Sequence, residues 1–271
     1  MARPIITLTT DFGSRDGYGG IMKGVILGIC PEARLVDLSH EVPPQDVLSG
    51  ALVLQQAVPF FPTGSIHVAV IDPGVGTERN ALALSTPEAF FVGPDNGLFD
   101  LVWSEALERW GAERLFAVRL TNPRFFLPEV NPTFHGRDVF APAAAHLARG
   151  AALPEMGLAL PAIASLGLAA PLRQDDGWWI GEILAADRFG NCLTSFTLRA
   201  LGQIGAFEGL RVWVGDMDLG PIRRTYSEVA RGQPVALIGS SRRLELAVRE
   251  GHFAQAFQVG RGAQVRVGRP G

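Results

Sequence analysis

Apolar and polar positions follow two different rhythms along this chain, and the change from one to the other divides it. Residues 4–10 are an apolar, β-branched run that reads as a strand, after which Tyr18, Ile21, Met22, Val25, Ile26 and Ile29 recur at helical spacing until Pro31 stops them. Residues 35–38 predict a second strand, 46–58 a second amphipathic helix and 65–71 a buried third strand. Strand and helix therefore alternate from the start, which predicts parallel strands joined by crossovers. Residues 81–85 and 89–92, split by Thr86-Pro87-Glu88, predict a hairpin, 98–110 a helix and 115–120 a strand. An irregular, proline-punctuated stretch, 121–134, then leads into a helix running through His146.

Between Gly150 and Pro171 charge almost disappears and Ala, Leu, Pro and Gly dominate, so this stretch reads as a packed linker. From Trp178 onward the rhythm is that of short strands and turns, at 179–184, 192–196, 210–214, 234–238, 244–248 and 264–267. The expected fold class is α/β: an N-terminal α/β domain with a largely parallel central sheet over residues 1–165, and a smaller all-β, barrel-like domain over 172–271.

Composition narrows the partners. A chain of 271 residues that is 47% hydrophobic supports substantial cores, and 24 basic against 27 acidic residues give a net charge of −3. With no basic run and no basic patch interleaved with aromatics, neither nucleic acid nor an anionic membrane is an expected partner. No apolar stretch reaches the ~18 residues of a membrane span, and the opening residues carry no signal-peptide pattern, so the expected location is cytoplasmic. Cys30 and Cys192 lie far apart among apolar neighbours, as reduced core thiols do, rather than in a disulfide framework or zinc site.

The chemistry-bearing residues fall at turns. The stretch Val70-Ile71-Asp72-Pro73-Gly74-Val75-Gly76-Thr77-Glu78-Arg79-Asn80 delivers an Asp off an apolar strand, turns on Pro and Gly, and returns an Arg. Open α/β sheets bind ligands at that strand edge. Other polar clusters are Asp11 with Asp16, Asp95-Asn96, His135 with Arg137 and Asp138, Asp187-Arg188-Phe189-Gly190-Asn191, and Gly239-Ser240-Ser241-Arg242. Each also has a structural reading: Asp72 and Arg79 as an ion pair pinning a loop, Asp-Asn-Gly as a turn, Asp138 as a helix cap. Two-metal hydrolysis is disfavoured, because Asp-x-His and His-Glu-x-x-His are absent and His40, His67, His146 and His252 sit apart from the polar turns. P-loop and Gly-x-Ser-x-Gly motifs are also absent, and Gly17-Tyr18-Gly19-Gly20 is a poor dinucleotide fingerprint. Polar turns without phosphate or metal ligands fit a nucleoside-sized organic ligand.

Thr9-Thr10-Asp11-Phe12-Gly13, Asp72-Pro73-Gly74-Val75-Gly76-Thr77, Gly93-Pro94-Asp95-Asn96-Gly97, Thr133-Phe134-His135-Gly136-Arg137-Asp138 and Asp187-Arg188-Phe189-Gly190-Asn191 together resemble the S-adenosyl-L-methionine (SAM) hydroxide adenosyltransferases. These are SAM hydrolases related to bacterial fluorinases and chlorinases. The resemblance implies a homotrimer with ligand sites between subunits, SAM as substrate, and no metal or other cofactor. It also implies a catalytic trio of Asp72, Arg79 and His135, with Asp11 on the ribose hydroxyls, and Asp187, Phe189 and Asn191 on the methionine portion. Ser240 aligns with a serine that contacts the methionine carboxylate, Tyr226 with an aromatic near adenine, and Asp16 and Phe134 complete the expected substrate contacts. The halogenases carry an arginine where Ser241 stands, which leaves carboxylate recognition here to Arg242 or another residue. They also carry an aromatic in place of Asp72 and a different sequence in place of Phe134-His135-Gly136. A carboxylate repels a halide, so Asp72 and His135 favour water as nucleophile, with either of them accepting its proton. The competing readings are a chlorinase-type halide transferase and a nonreactive SAM or adenosine sensor.

Overall fold

A computed structural model describes residues 3–207 and 209–269. The chain divides into two compact units between Leu166 and Gly167. The first contains strands β1 (Ile5–Thr10), β2 (Arg34–Ser39), β3 (Ser65–Val70), β4 (Ala81–Ser85), β5 (Ala89–Pro94), β6 (Phe116–Leu120) and β7 (Gly157–Ala159). Its helices are α1 (Tyr18–Ile29), α2 (Val47–Ala57), α3 (Asp100–Trp110) and α4 (Ala141–Ala148). The strands form one mixed sheet in the order β2-β1-β3-β5-β4-β6-β7. The strands β2, β1, β3 and β5 run parallel, and β4, β6 and β7 extend the sheet antiparallel.

The strand patterns follow from what covers them. Every residue of β3 is buried, as expected of a central strand covered on both faces. Alternation sorts its side chains: Val68 and Val70 pack with Met22 and Ile26 of α1 and the alanines of α4. Ala69 and Ile71 pack on the other face with Leu54 and Val102, from α2 and α3. Asp46 begins α2 by accepting the Ser49 amide at 3.1 Å, and Gly111, at φ +79°, ends α3.

Two expectations change. The stretch read as linker contributes β7, whose Gly157 pairs with Leu120 of β6. A Cβ at Gly157 would collide with the Arg119 carbonyl, so the strand can close on β6 only as glycine. The helix expected from His135 instead opens with a wide π-helical turn, Gly136–Phe140, before α4.

The second unit contains β8 (Leu172–Arg173), β9 (Trp179–Ala186), β10 (Cys192–Thr197), β11 (Arg211–Val214), β12 (Met217–Pro221), β13 (Pro234–Ile238), β14 (Arg243–Val248) and β15 (Gln264–Gly268). Sequence periodicity missed β12 and the short helices α5 (Leu198–Ile204) and α6 (Phe253–Ala256). The order β12-β11-β15-β9-β10-β14-β13 is antiparallel throughout, with β8 pairing β9. The edge strands β12 and β13 lie against each other, so the sheet nearly closes as a barrel. Its interior holds Ile183, Phe196, Val212, Leu246, Phe253 and Val265. No described helix is long and apolar enough to cross a membrane.

Candidate active site

Three adjacent parallel strands of the first unit end on acidic residues. Asp11 follows β1, Asp72 follows β3 after the buried Ile71, and Asp95 follows β5. The pairing of Thr10 with Val70 sets the first two ends side by side. This is the carboxyl edge where open α/β sheets hold ligands.

The turn after β3 brings Arg79 back onto Asp72. Val75 N donates to the Asp72 carbonyl at 3.2 Å and Thr77 N to that of Gly74 at 3.1 Å. Gly76 takes φ +77°, and a Cβ there would stand 2.8 Å from the Pro132 carbonyl oxygen, so only glycine lets this turn meet the segment before His135. The Arg79 Nε donates to Asp72 Oδ1 at 2.9 Å, and its Nη2 donates to Oδ2, a bidentate pair almost sealed from solvent. The same Nη2 lies 2.9 Å from Nδ1 of His135. The guanidinium also covers the Phe140 ring, 5.3 Å from its centroid.

That contact assigns the imidazole. A guanidinium only donates, so Nδ1 accepts and the neutral His135 ring carries its proton on Nε2. Burial, reinforced by the positive Arg79, pushes the His135 pKa down, and Asp72 and Asp138 only partly offset it. The trio therefore consists of an acceptor held by a cation and a neutral ring with one N–H to give.

The neighbouring polar residues brace this arrangement. Asp138 is buried and accepts Arg137 Nε at 2.6 Å, Arg137 Nη2 at 3.0 Å and the Asn131 amide at 2.9 Å. Burial alone would raise its pKa, but those hydrogen bonds hold it below the ordinary carboxylate range. Asp138 is thus a tie between the π-helical turn and the preceding loop, not a helix cap. Asn96 donates to the Ile71 carbonyl at 2.9 Å, beside Asp72. Asp95 accepts Asn80 Nδ2 at 3.1 Å and the Ala164 amide at 2.7 Å, tying the end of the Arg79 turn to the former linker.

Asp11, Asp72, Phe134 and His135 border a cleft of about 600 Å³ within this unit. One wall is aromatic: Phe12, Tyr18 and Phe134 meet at centroid separations of 5.6, 5.8 and 5.2 Å, two of the pairs edge to face. Asp11 Oδ2 accepts the Gln45 amide at 2.7 Å, and Gln45 itself takes φ +64°. Asp16 does not join the cleft; it is exposed just ahead of α1. Sequence periodicity counted Tyr18 among the helical core positions, yet it is 47% exposed and belongs to the aromatic wall. Phe12 and Gln45 were also missed, and only adjacency to Asp11 or to Pro43-Pro44 signalled them.

In the second unit Asp187 is engaged with its own turn. Its carboxylate accepts Phe189 N and Asn191 N, each at 2.9 Å, and Asn191 Nδ2 at 3.2 Å. Phe189 is 74% exposed at the tip, and Ser240 is exposed in the β13–β14 turn. These two turns lead into antiparallel partners, β10 and β14, and so approach that pair from opposite ends. Glu245 occupies the interval. It is buried and accepts the Tyr226 hydroxyl at 2.5 Å, and burial together with the charge of Asp187 raises its pKa. Nothing in the local sequence distinguished it from the strand around it.

Two histidines expected to lie apart from the polar turns are beside them. His40 contacts Thr10, next to Asp11, and His252 packs against Gly190, where a Cβ would overlap its ring. Their separation in sequence is closed by β-strand pairing and by α6. Among the described residues no group of three or more His, Cys, Asp or Glu side chains is arranged to hold a metal ion. Cys30 and Cys192 are both buried free thiols, and burial first, then the charges of Asp187 and Glu245, pushes Cys192 up to about 11.

The family model of the SAM hydroxide adenosyltransferase N-terminal domain matches residues 6–157, and that of the C-terminal domain matches residues 181–266. The (R)-S-adenosyl-L-methionine hydrolase of Thermus thermophilus is 42% identical over 98% of this chain and 99% of its own. The protein of the same name from Salinispora tropica is 39% identical, with 97% of each covered. A fluorinase from Actinoplanes sp. is 29% identical, again with 97% of each covered. The crystal structure of an uncharacterized conserved protein from Thermotoga maritima superposes with a TM-score of 0.86 at 32% identity, covering 97% of this chain and all of that one.

Proposed function

The chain belongs to the SAM hydroxide adenosyltransferase family, and from that premise we propose that it hydrolyses SAM to adenosine and L-methionine by in-line attack of water on ribose C5′. The observation that carries this reading is the Asp72–Arg79–His135 trio, which has an acceptor and a neutral N–H donor but no free cation to attract a halide. His135 donates Nε2–H to one water lone pair, and Asp72 accepts a water proton through a lone pair that Arg79 leaves free. The remaining lone pair points at C5′. As the C5′–O bond forms, the C5′–S bond breaks, its electron pair neutralises the sulfonium to a thioether, and the surplus proton passes to Asp72 and on to solvent. His135 is not the base in this scheme, because its only accepting nitrogen faces Arg79.

A sulfonium leaves as a neutral molecule, so the attacking water needs little help from full deprotonation beforehand. Asp11 has one carboxylate oxygen outside its Gln45 bond to receive the ribose hydroxyls, and Phe134 packs against the nucleoside. Asp187, Phe189, Asn191, Tyr226 and Ser240 serve the methionine and adenine ends on the second domain, with Asp16 peripheral. The proposal takes the two domains as residues 1–165 and 172–271 and the protein as a cytoplasmic homotrimer with sites between subunits and no cofactor; light scattering tests the oligomer.

The test of the reaction is incubation with SAM in ¹⁸O-water, with and without chloride, followed by mass spectrometry. Adenosine carrying ¹⁸O at the 5′ oxygen, together with methionine, is expected. 5′-Chloroadenosine would overturn water attack, and bound but unchanged SAM would overturn catalysis.

A further inference from the structure

His40 is absent from every motif that carried the family resemblance, yet it joins the two loops that frame Asp11. We propose that His40, held in turn by Asp37, is the positioning residue for the ribose end of the site: it fixes the backbone on both sides of Asp11 and so aims the carboxylate. The proposal rests on the reading of Asp11 as the group that takes the ribose hydroxyls.

The connections are specific. His40 Nδ1 lies 2.8 Å from Thr10 Oγ1, and the His40 carbonyl accepts the Gly13 amide at 2.7 Å. Thr10 and Gly13 flank Asp11 and Phe12, and Phe12 N donates to the same Thr10 hydroxyl at 3.3 Å. One residue therefore grips the start of the β1–α1 loop on both sides of Asp11. Gln45, farther along the same β2–α2 loop as His40, adds the third tie by donating its amide to Asp11 Oδ2 at 2.7 Å.

The ring itself is fixed. Its side chain is 12% exposed, Nε2 stands 3.1 Å from Asp37 Oδ1, and Lys23 donates to the other Asp37 oxygen at 2.6 Å. At that distance from Asp37 the Nε2 atom is sealed from solvent, and no other polar atom reaches it among the described residues. Gly19 closes the remaining side: a Cβ there would come within 2.8 Å of Cε1. A ring confined in this way transmits position, because neither the hydroxyl nor the loop can shift without breaking one of these contacts.

The experiment measures steady-state SAM hydrolysis together with calorimetric binding of adenosine and of 2′,3′-dideoxyadenosine, for the full chain and three variants. His40→Ala is expected to raise KM for SAM and Kd for adenosine about tenfold while changing kcat less than threefold. Binding of the dideoxy nucleoside, which has no hydroxyls for Asp11, should change less than twofold. His40→Asn, whose amide reaches where Nδ1 stands, should recover most of the loss. Thr10→Val removes the hydroxyl without altering shape and should reproduce the His40→Ala pattern, which keeps the test open if His40→Ala does not fold. Equal weakening for both nucleosides, or a fall confined to kcat, would overturn the proposal, as would failure of the unaltered chain to bind adenosine. Hydroxyl-dependent binding that tracks His40 in a protein that does not cleave SAM would support it and overturn only the reaction.

Discussion

Asp72 and Asp187 both close a strand at a glycine-containing turn, but they hold different things. Asp72 is engaged by Arg79, which in turn reaches His135, 56 residues farther along the chain. Asp187 is engaged by Phe189 and Asn191, within its own turn. The first carboxylate is part of a polar assembly that exists only in the folded sheet, and the second shapes a loop and presents an exposed ring. An acidic residue at a strand end is therefore weak evidence of catalysis until its partners are known.

Removing the long-range ties should have the largest effect. Arg79→Ala would leave Asp72 buried without its counter-ion and is expected to cost about 3–5 kcal/mol of stability, together with turnover. Asp72→Asn keeps the shape and should lower kcat by roughly 10²–10⁴ with a smaller change in KM, as should His135→Ala, read by steady-state kinetics. Since the His135 pKa is depressed and the neutral ring is the working form, kcat should be flat near neutrality and fall as pH drops through a value below 6.5. A fall beginning well above that value would break the assignment of Nδ1 as acceptor.

A second long-range pair, Thr7 with His67 at 2.8 Å, gives the next effect. Burial pushes His67 down to about 4, so the folded state binds fewer protons than the unfolded one between that value and the ordinary 6.5. The linked stability is complete above 6.5 and is lost as pH falls toward 4, on the order of 3 kcal/mol. Urea titrations at several pH values should show that slope, and His67→Leu should flatten it.

Asp11→Ala should raise KM by roughly ten- to a hundredfold with little effect on kcat, since it removes a charged hydrogen bond to the substrate, worth about 1.5–3 kcal/mol. Asp187 should give the smallest response in stability. Asp187→Ala loses the turn bonds and should cost about 1 kcal/mol, whereas Asp187→Asn keeps an acceptor oxygen and should cost less than about 0.5 kcal/mol by thermal melting. A cost from Asp187→Ala as large as that from Arg79→Ala would erase the contrast between the two turns.

The amino-acid sequence by itself determined the alternation of strands and helices up to β3, the β4–β5 hairpin, the change to an antiparallel β unit, and the turns that carry Asp11, Asp72, His135 and Asp187. Those features are local: apolar period, Pro and Gly punctuation and short motifs act over a few residues. Only the tertiary structure decided that β7 would leave the presumed linker to join the sheet, that His40 would meet Thr10, and that Tyr18 would face the cleft rather than the core. It alone brought Glu245 to Tyr226, and fixed the tautomer of His135 by setting a guanidinium against Nδ1. The physical reason is the same in each case. Hydrogen bonds, burial and charge act between groups that strand pairing and helix packing bring within a few ångströms, and no pattern along the chain records those distances.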